Sequence, residues 1–180
     1  MAQKNNWQQY KDIIERNNIK CLYHFTDREN LESIINNGGL YSWADCKAKG
    51  IDIPKPGGSA QSRQLDTRDN LQNYVRVSFV TQHPMMYVAM NEGRISNPVI
   101  LKIDPKVIWQ EDTKYADRNA TKNGAKVGGE LSDFERIHFN AVKANKHFDL
   151  PEEEQMFFQA EVLVKNFIPI EYITNIANFG

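Results

Sequence analysis

The stretch "LYHFTDRENLESII", residues 22–35, decides how the chain begins to fold. Cys21, Leu22, Tyr23 and Phe25 read as a strand, and Leu31, Ile34 and Ile35 recur at helical spacing behind an N-cap signal. Thr26 and Glu29 have the spacing of a capping box, Asp27 is a rival cap, and Gly38-Gly39 supplies a left-handed stop after Ile35. A strand that ends at a helix N-terminus offers free backbone N–H groups and a positive dipole end, a seat for anionic or polar ligands. His24 and Thr26 stand at that join. The plainer alternative makes His24 a half-buried strand histidine and Thr26 only a cap.

Working outward, 180 residues suffice for one well-buried core and are few for two, so a single domain over 1–180 is expected. The 41% hydrophobic and 25% charged content is ordinary for a globular protein and favours neither a disordered nor a membrane class. No apolar run reaches the roughly 20 residues of a membrane helix, and "MAQKNNWQQY" lacks the apolar stretch of a signal peptide, so a cytoplasmic protein without a membrane partner is expected. Cys21 and Cys46 read as reduced thiols, and with no CxxC or Cys/His spacing no metal is expected.

The net charge of −1 hides its distribution. Residues 47–76 hold six Lys or Arg against three Asp, and residues 113–147 hold seven basic against four acidic residues, +3 in each case and −7 for the remainder. Two basic stretches on an acidic body form either one positive surface for phosphates or two solvated loops of mixed charge.

Trp7, Tyr10, Ile13 and Ile14 share a face of an N-terminal helix within residues 1–19. Residues 44–70 show no sustained period and include "PKPGGSAQSR", a long loop, with 44–62 its core. "YVRVSFV" (74–80) alternates as a strand, Pro84 opens a short apolar helix, and "PVILKI" (98–103) reads as a buried strand. A second polar loop covers 113–132, followed by a helix around 133–144 and strands at 156–164 and 172–179. This order favours α+β with a mixed or mainly antiparallel sheet and short helices. Neither GxGxxG nor a P-loop is present.

In "FFQAEVLV" Glu161 interrupts an apolar strand. A carboxylate there is costly unless exposed, paired or functional, and an edge position is the plain alternative. Arg63 in "SRQLD" sits beside the Gly-rich loop, where an isolated surface arginine is the default reading.

In order along the chain, "YHFTDRENLESIINNGGL" (23–40), "SRQLD" (62–66), "YVRVSFVTQHPMMY" (74–87), "DRNA" (117–120) and "QAEVLVKNFIPIEYI" (159–173) resemble the ADP-ribosyltransferase family, and within it the DarT group that modifies nucleic-acid bases. The resemblance implies a split sheet around a central NAD cleft, with NAD as co-substrate. It implies Glu161 and Arg63 as catalytic residues, and His24, Thr26, Tyr87, Gly39 and Leu40 as NAD contacts. It further implies an ADP-ribosyltransferase toxin acting on single-stranded nucleic acid, DNA in preference to RNA, with an antitoxin partner and a place in phage defence. Arg76, Lys114, Arg118 and Lys122 are expected to contact the strand, with Trp43, Tyr74 and Tyr115 available for stacking. "YVRVSF" departs from the group in carrying Arg76 and Ser78 where apolar or aromatic residues are expected. A catalytically silent NAD- or nucleic-acid-binding module is the alternative from another class.

Overall fold

The computed structural model describes residues 2–179. Helix α1 (Trp7–Arg16) buries Tyr10, Ile13 and Ile14. Strand β1 (Leu22–Asp27) runs into a single 3₁₀ turn and helix α2 (Leu31–Asn36). Asp27, not Thr26, is the cap: its carboxylate accepts the Glu29 N–H at 2.9 Å and also the N–H groups of Ser96 and Asn97. Strand β2 (Gly39–Tyr41), helices α3 (Trp43–Lys49) and α4 (Ala60–Arg68), strand β3 (Tyr74–Ser78), helix α5 (Pro84–Asn91) and strand β4 (Pro98–Ile103) follow. The second half holds β5 (Lys114–Ala116), β6 (Val127–Gly128), α6 (Leu131–Glu135), α7 (Phe139–Val142), β7 (Glu161–Lys165) and β8 (Phe167–Pro169).

The main sheet has six strands in the order β4-β1-β3-β7-β5-β6, and β2 pairs with β8 separately. Every described pairing is antiparallel. Strand β1 pairs with β4 along its whole length and β3 with β7 along its whole length. The two halves meet at one register position, Tyr23 opposite Ser78. Beyond it β1 and β3 part, and the sheet splits. One large apolar cluster backs both halves, with Leu22, Leu101, Tyr115, Phe134, Phe158 and Val162 fully enclosed. Tyr10, Tyr115 and Phe134 pack ring against ring at 4.9–5.6 Å and fix α1 and α6 to it.

The α+β expectation holds, and several local expectations do not. Residues 44–62 are not one loop: Ser42 and Ser59 cap α3 and α4 through the N–H groups of Asp45 and Ser62, leaving only 50–59 irregular. Short strands β5 and β6 break up 113–132. The helix around 133–144 is two, α6 and α7, separated at 136–138. Residues 152–159 form a 3₁₀ helix after Pro151, so Glu161 opens its strand instead of sitting mid-strand. Residues 172–179 make a single bridge, Ile173 to Ile103, before turning helical. There the Asn175 amide bonds Lys102 N–H and Ile100 C=O, so a side chain covers the free edge of β4 in place of a strand.

Candidate active site

The split in the sheet opens a half-enclosed cleft of about 760 Å³, within the roughly 300–1,000 Å³ of cofactor and ligand sites. Strands β1 and β3 form its floor, β2, α3 and the 50–59 segment one wall, and α4 another. The wall is tied down. Asn30, 1% exposed, accepts the Lys55 N–H at 2.8 Å and donates to the Lys55 carbonyl at 2.7 Å and the Thr26 hydroxyl at 3.0 Å. Arg94 donates to the Gly57 carbonyl. Gly39, at φ +149°, lies so close to Ile168 that a Cβ would stand 2.1 Å from its carbonyl oxygen, so only glycine fits this turn into β2.

His24 spans the gap where β1 and β3 part, its Nδ1 lying 2.9 Å from the Arg76 carbonyl oxygen. A carbonyl only accepts, so Nδ1 carries the proton. Burial holds the ring below its ordinary pKa, against the pull of that carbonyl. A neutral ring protonated at Nδ1 presents the Nε2 lone pair to the cleft. His83 is the converse. Its Nδ1 accepts the Met85 N–H at 3.1 Å as the cap of α5, which leaves the proton on Nε2. Burial, then the nearby charge of Arg76, lowers His83 to about 4. One histidine offers the cleft an acceptor and the other a donor.

Glu161, 5% exposed, closes the floor. Its carboxylate accepts the Ala120 N–H at 2.9 Å and lies 3.3 Å from Arg76 Nη1. Arg76 also bonds Asp66 of α4. Burial raises both carboxyls, while Arg76 pulls each back; the Ala120 N–H favours the Glu161 anion and Asp66 opposes it. Burial draws Arg76 down, but Glu161 and Asp66 outweigh it and the guanidinium stays above its usual range. Arg63 also lines the cleft, stacked over the Trp43 ring at 5.9 Å, and no carboxylate among the described residues pairs with it. An unpaired guanidinium is suited to phosphate, and a buried carboxylate to a developing positive charge or a proton.

Of the residues expected at the site, His24, Thr26, Gly39, Leu40, Arg63 and Glu161 converge on this cleft. Tyr87 does not. It is 44% exposed and donates to Gln82. Two residues along a helix means a turn of about 200°, so Met85 faces the cleft and Tyr87 faces away. Arg76, expected on the strand-binding surface, is held inside by its two acids. Lys114 lies over Tyr74, Arg118 pairs with Asp117 and stacks on Phe157, and Lys122 is exposed. Tyr115 is fully enclosed and donates to the Ile108 carbonyl, so it offers no stacking face, whereas Trp43 lines the cleft. Asp66 and His83 were not expected. Asp66 follows Arg63 by three residues on one helix face, and His83 precedes Pro84 at a helix start, both readable signals.

The profile of the DarT family, described as ssDNA thymidine ADP-ribosyltransferase, matches residues 23–179. The fold is similar to that of Thermus sp. 2.9 DarT in complex with ADP-ribosylated ssDNA, at 20% identity and a TM-score of 0.69, over 87% of this chain and 79% of that one. It is similar to the same protein in complex with NAD+, at 21% identity and a TM-score of 0.62, over 86% and 79%. Thermosipho africanus DarTG in complex with ADP-ribose is similar at 20% identity and a TM-score of 0.70, over 86% of this chain and 42% of that one. No curated protein matches the sequence.

Proposed function

The chain belongs to the DarT family of ssDNA thymidine ADP-ribosyltransferases, and from that premise we propose that it uses the cleft to move ADP-ribose from NAD onto a thymine base of single-stranded DNA. The observation that carries the assignment of roles is the convergence of Glu161, Arg63 and His24 on one half-enclosed cavity. That cavity fits the co-substrate: it has the volume, an unpaired arginine for a pyrophosphate, and a fixed acceptor at His24 for a hydroxyl or amide. NAD supplies a ribosyl carbon bonded to a cationic nicotinamide nitrogen, so cleavage sends the electron pair to nicotinamide and leaves positive charge on the sugar.

Glu161 faces that charge from the cleft floor, its position fixed by Ala120 and Arg76. Thymine in a nucleotide has one ring N–H. Glu161 takes that proton as the ring nitrogen bonds to the sugar carbon, and the proton then passes to solvent. Arg63 holds the phosphates, with Thr26, Gly39 and Leu40 bounding the cofactor side. A base inside a duplex cannot enter such a cleft, which favours an unstacked acceptor. Lys114, Arg118 and Lys122 guide the strand from outside. Modification of template bases blocks copying, which supports a toxin that acts in the cytoplasm and is restrained by an antitoxin.

The test incubates labelled NAD with a thymidine-containing ssDNA, the same oligomer lacking thymidine, and a matched RNA. We expect label on the first alone, falling by about 10²-fold or more in Glu161→Gln. Label on the RNA reassigns the acceptor. No label on any of the three, with NAD unconsumed, leaves a silent binding module.

A further inference from the structure

Arg76 stands between two buried acids, an arrangement that catalysis by Glu161 alone does not require. Its Nη1 lies 3.4 and 3.3 Å from the two Glu161 oxygens and 3.4 Å from Asn119 Oδ1. Nη2 donates to Asp66 in the tighter contact. The side chains of Arg76, Asp66 and Glu161 are 23%, 11% and 7% exposed. One cation shared by two carboxylates leaves the cluster either a negative charge or a bound proton. The acid with the longer contacts is the one on the cleft floor.

We propose that Asp66 and Arg76 form a tuning pair for Glu161: Arg76 is a positioning residue that holds Glu161 as an anion, and Asp66 weakens that hold by competing for the same guanidinium. The proposal rests on the reading of Glu161 as the carboxyl that takes the acceptor's proton. A carboxylate gripped too firmly is a poor base, and one left unpaired in this burial stays protonated. Sharing the cation sets Glu161 between those limits. The other polar and charged groups around it fit this account. His24 on β1 and His83 before α5 are neutral, so neither competes for Glu161 as a cation. The Ala120 N–H favours the Glu161 anion, Asn119 accepts from Arg76, and Arg63 lies across the cleft over Trp43. Asp69 pairs with Arg68 at the surface and adds only an upward push on Asp66.

The two members of the pair make opposite predictions. With the full chain labelled with ¹³C at the Glu side-chain carboxyls and free of ligand, NMR follows the Glu161 titration, its resonance identified by its loss in Glu161→Gln. The pH profile of kcat/KM is measured beside it. In Arg76→Gln the titration and the acid limb of the profile move to higher pH, and kcat/KM at neutral pH falls by about tenfold or more. In Asp66→Asn both move to lower pH, because Arg76 then serves Glu161 alone. A packing role would lower activity in both variants without displacing the limb. Displacement of both in one direction, or of neither, overturns the proposal. If Arg76→Gln does not fold, Asp66→Asn, which removes a buried charge and keeps the guanidinium, decides it by the direction of its shift. Full transfer by Glu161→Gln would instead defeat the role given to Glu161, while the NMR shifts still decide the pair.

Discussion

The two basic stretches of the chain carry the same formal excess of +3, and the fold uses them in opposite ways. In 47–76 four of the six cations line the cleft or are neutralised where they stand, while Lys47 and Lys49 stay exposed. Arg76 is shared by Asp66 and Glu161, Lys55 reaches Glu29 and Ser96, and Arg68 pairs with Asp69. In 113–147 Arg118 and Arg136 have carboxylate partners, while Lys122, Lys126, Lys143 and Lys146 stay exposed with no ion pair among the described residues. Equal sums therefore give one stretch that builds a cleft and one that presents charge to solvent. Substitutions of the paired cations in the first should cost stability, and substitutions of the exposed lysines in the second should cost strand binding alone.

The largest effect expected is from Arg76→Met. Removing the shared cation leaves two buried carboxylates, at a cost of about 3–5 kcal/mol at neutral pH by urea unfolding. The sign with pH follows from the raised carboxyls. A folded state that holds extra protons loses stability as pH rises, so the deficit grows above the ordinary carboxylate range and shrinks below it. Asp66→Asn in the same background should recover part of the loss. A deficit independent of pH would mean that the residues of this stretch pack without electrostatic consequence, and the contrast would fail.

Next is the acid limb of wild-type stability. His83 is lowered from its ordinary 6.5 to about 4, so the unfolded chain binds the proton first as pH falls. Its stabilisation is complete above 6.5 and is lost as pH falls from there toward about 4. At about 1.4 kcal/mol per pKa unit, that loss is on the order of 3 kcal/mol. His24 adds a loss of the same sign. His83→Asn keeps a capping acceptor for Met85 and should flatten this limb in acid unfolding titrations. Smaller again is Asn30→Ala. It frees both backbone groups of Lys55 and should cost about 1–3 kcal/mol, with faster amide exchange at Lys55 and its neighbours in the wall.

How much of this could be read from the chain depended on how local the signal was. The join at 22–35 is legible, since strand, cap and helix face are neighbours in sequence, and so is Glu161 as a charge in an apolar strand; Arg63 reads by itself as an isolated surface arginine and gains a role only from the family resemblance. The carriers of the split are not legible. That β1 and β3 meet only at Tyr23 and Ser78 depends on pairings 55 residues apart. Helix α3 lies in a stretch without sustained period, although "SWAD" holds its signal: Ser42 caps Asp45 N–H and donates to the Asp45 carboxylate. Helix α4 offers only its Ser59 cap and little amphipathic pattern to betray it. Arg76 reads as surface charge in the sequence because its partners lie 10 and 85 residues away.

The smallest effect on stability, and the sharpest test of the contrast, is Lys122→Ala combined with Lys126→Ala. Both lysines are exposed and have no ion pair among the described residues, so unfolding free energy should change by no more than about 0.5 kcal/mol. Their placement is what gives them a role. They follow the turn whose Ala120 N–H holds Glu161, so a strand with a base in the cleft is expected to pass over them. Each lysine that meets a phosphate contributes about 0.7 to the slope of log affinity against log salt for single strands. The double variant should therefore flatten that slope and weaken binding alike for all sequences, while NAD turnover without DNA stays at the wild-type level. Lys49→Ala, exposed at the end of α3 and outside the cleft lining, should leave the slope unaltered. A loss there comparable to that of the double variant would mean that the strand tracks total charge, and that the two stretches are not distinct for DNA.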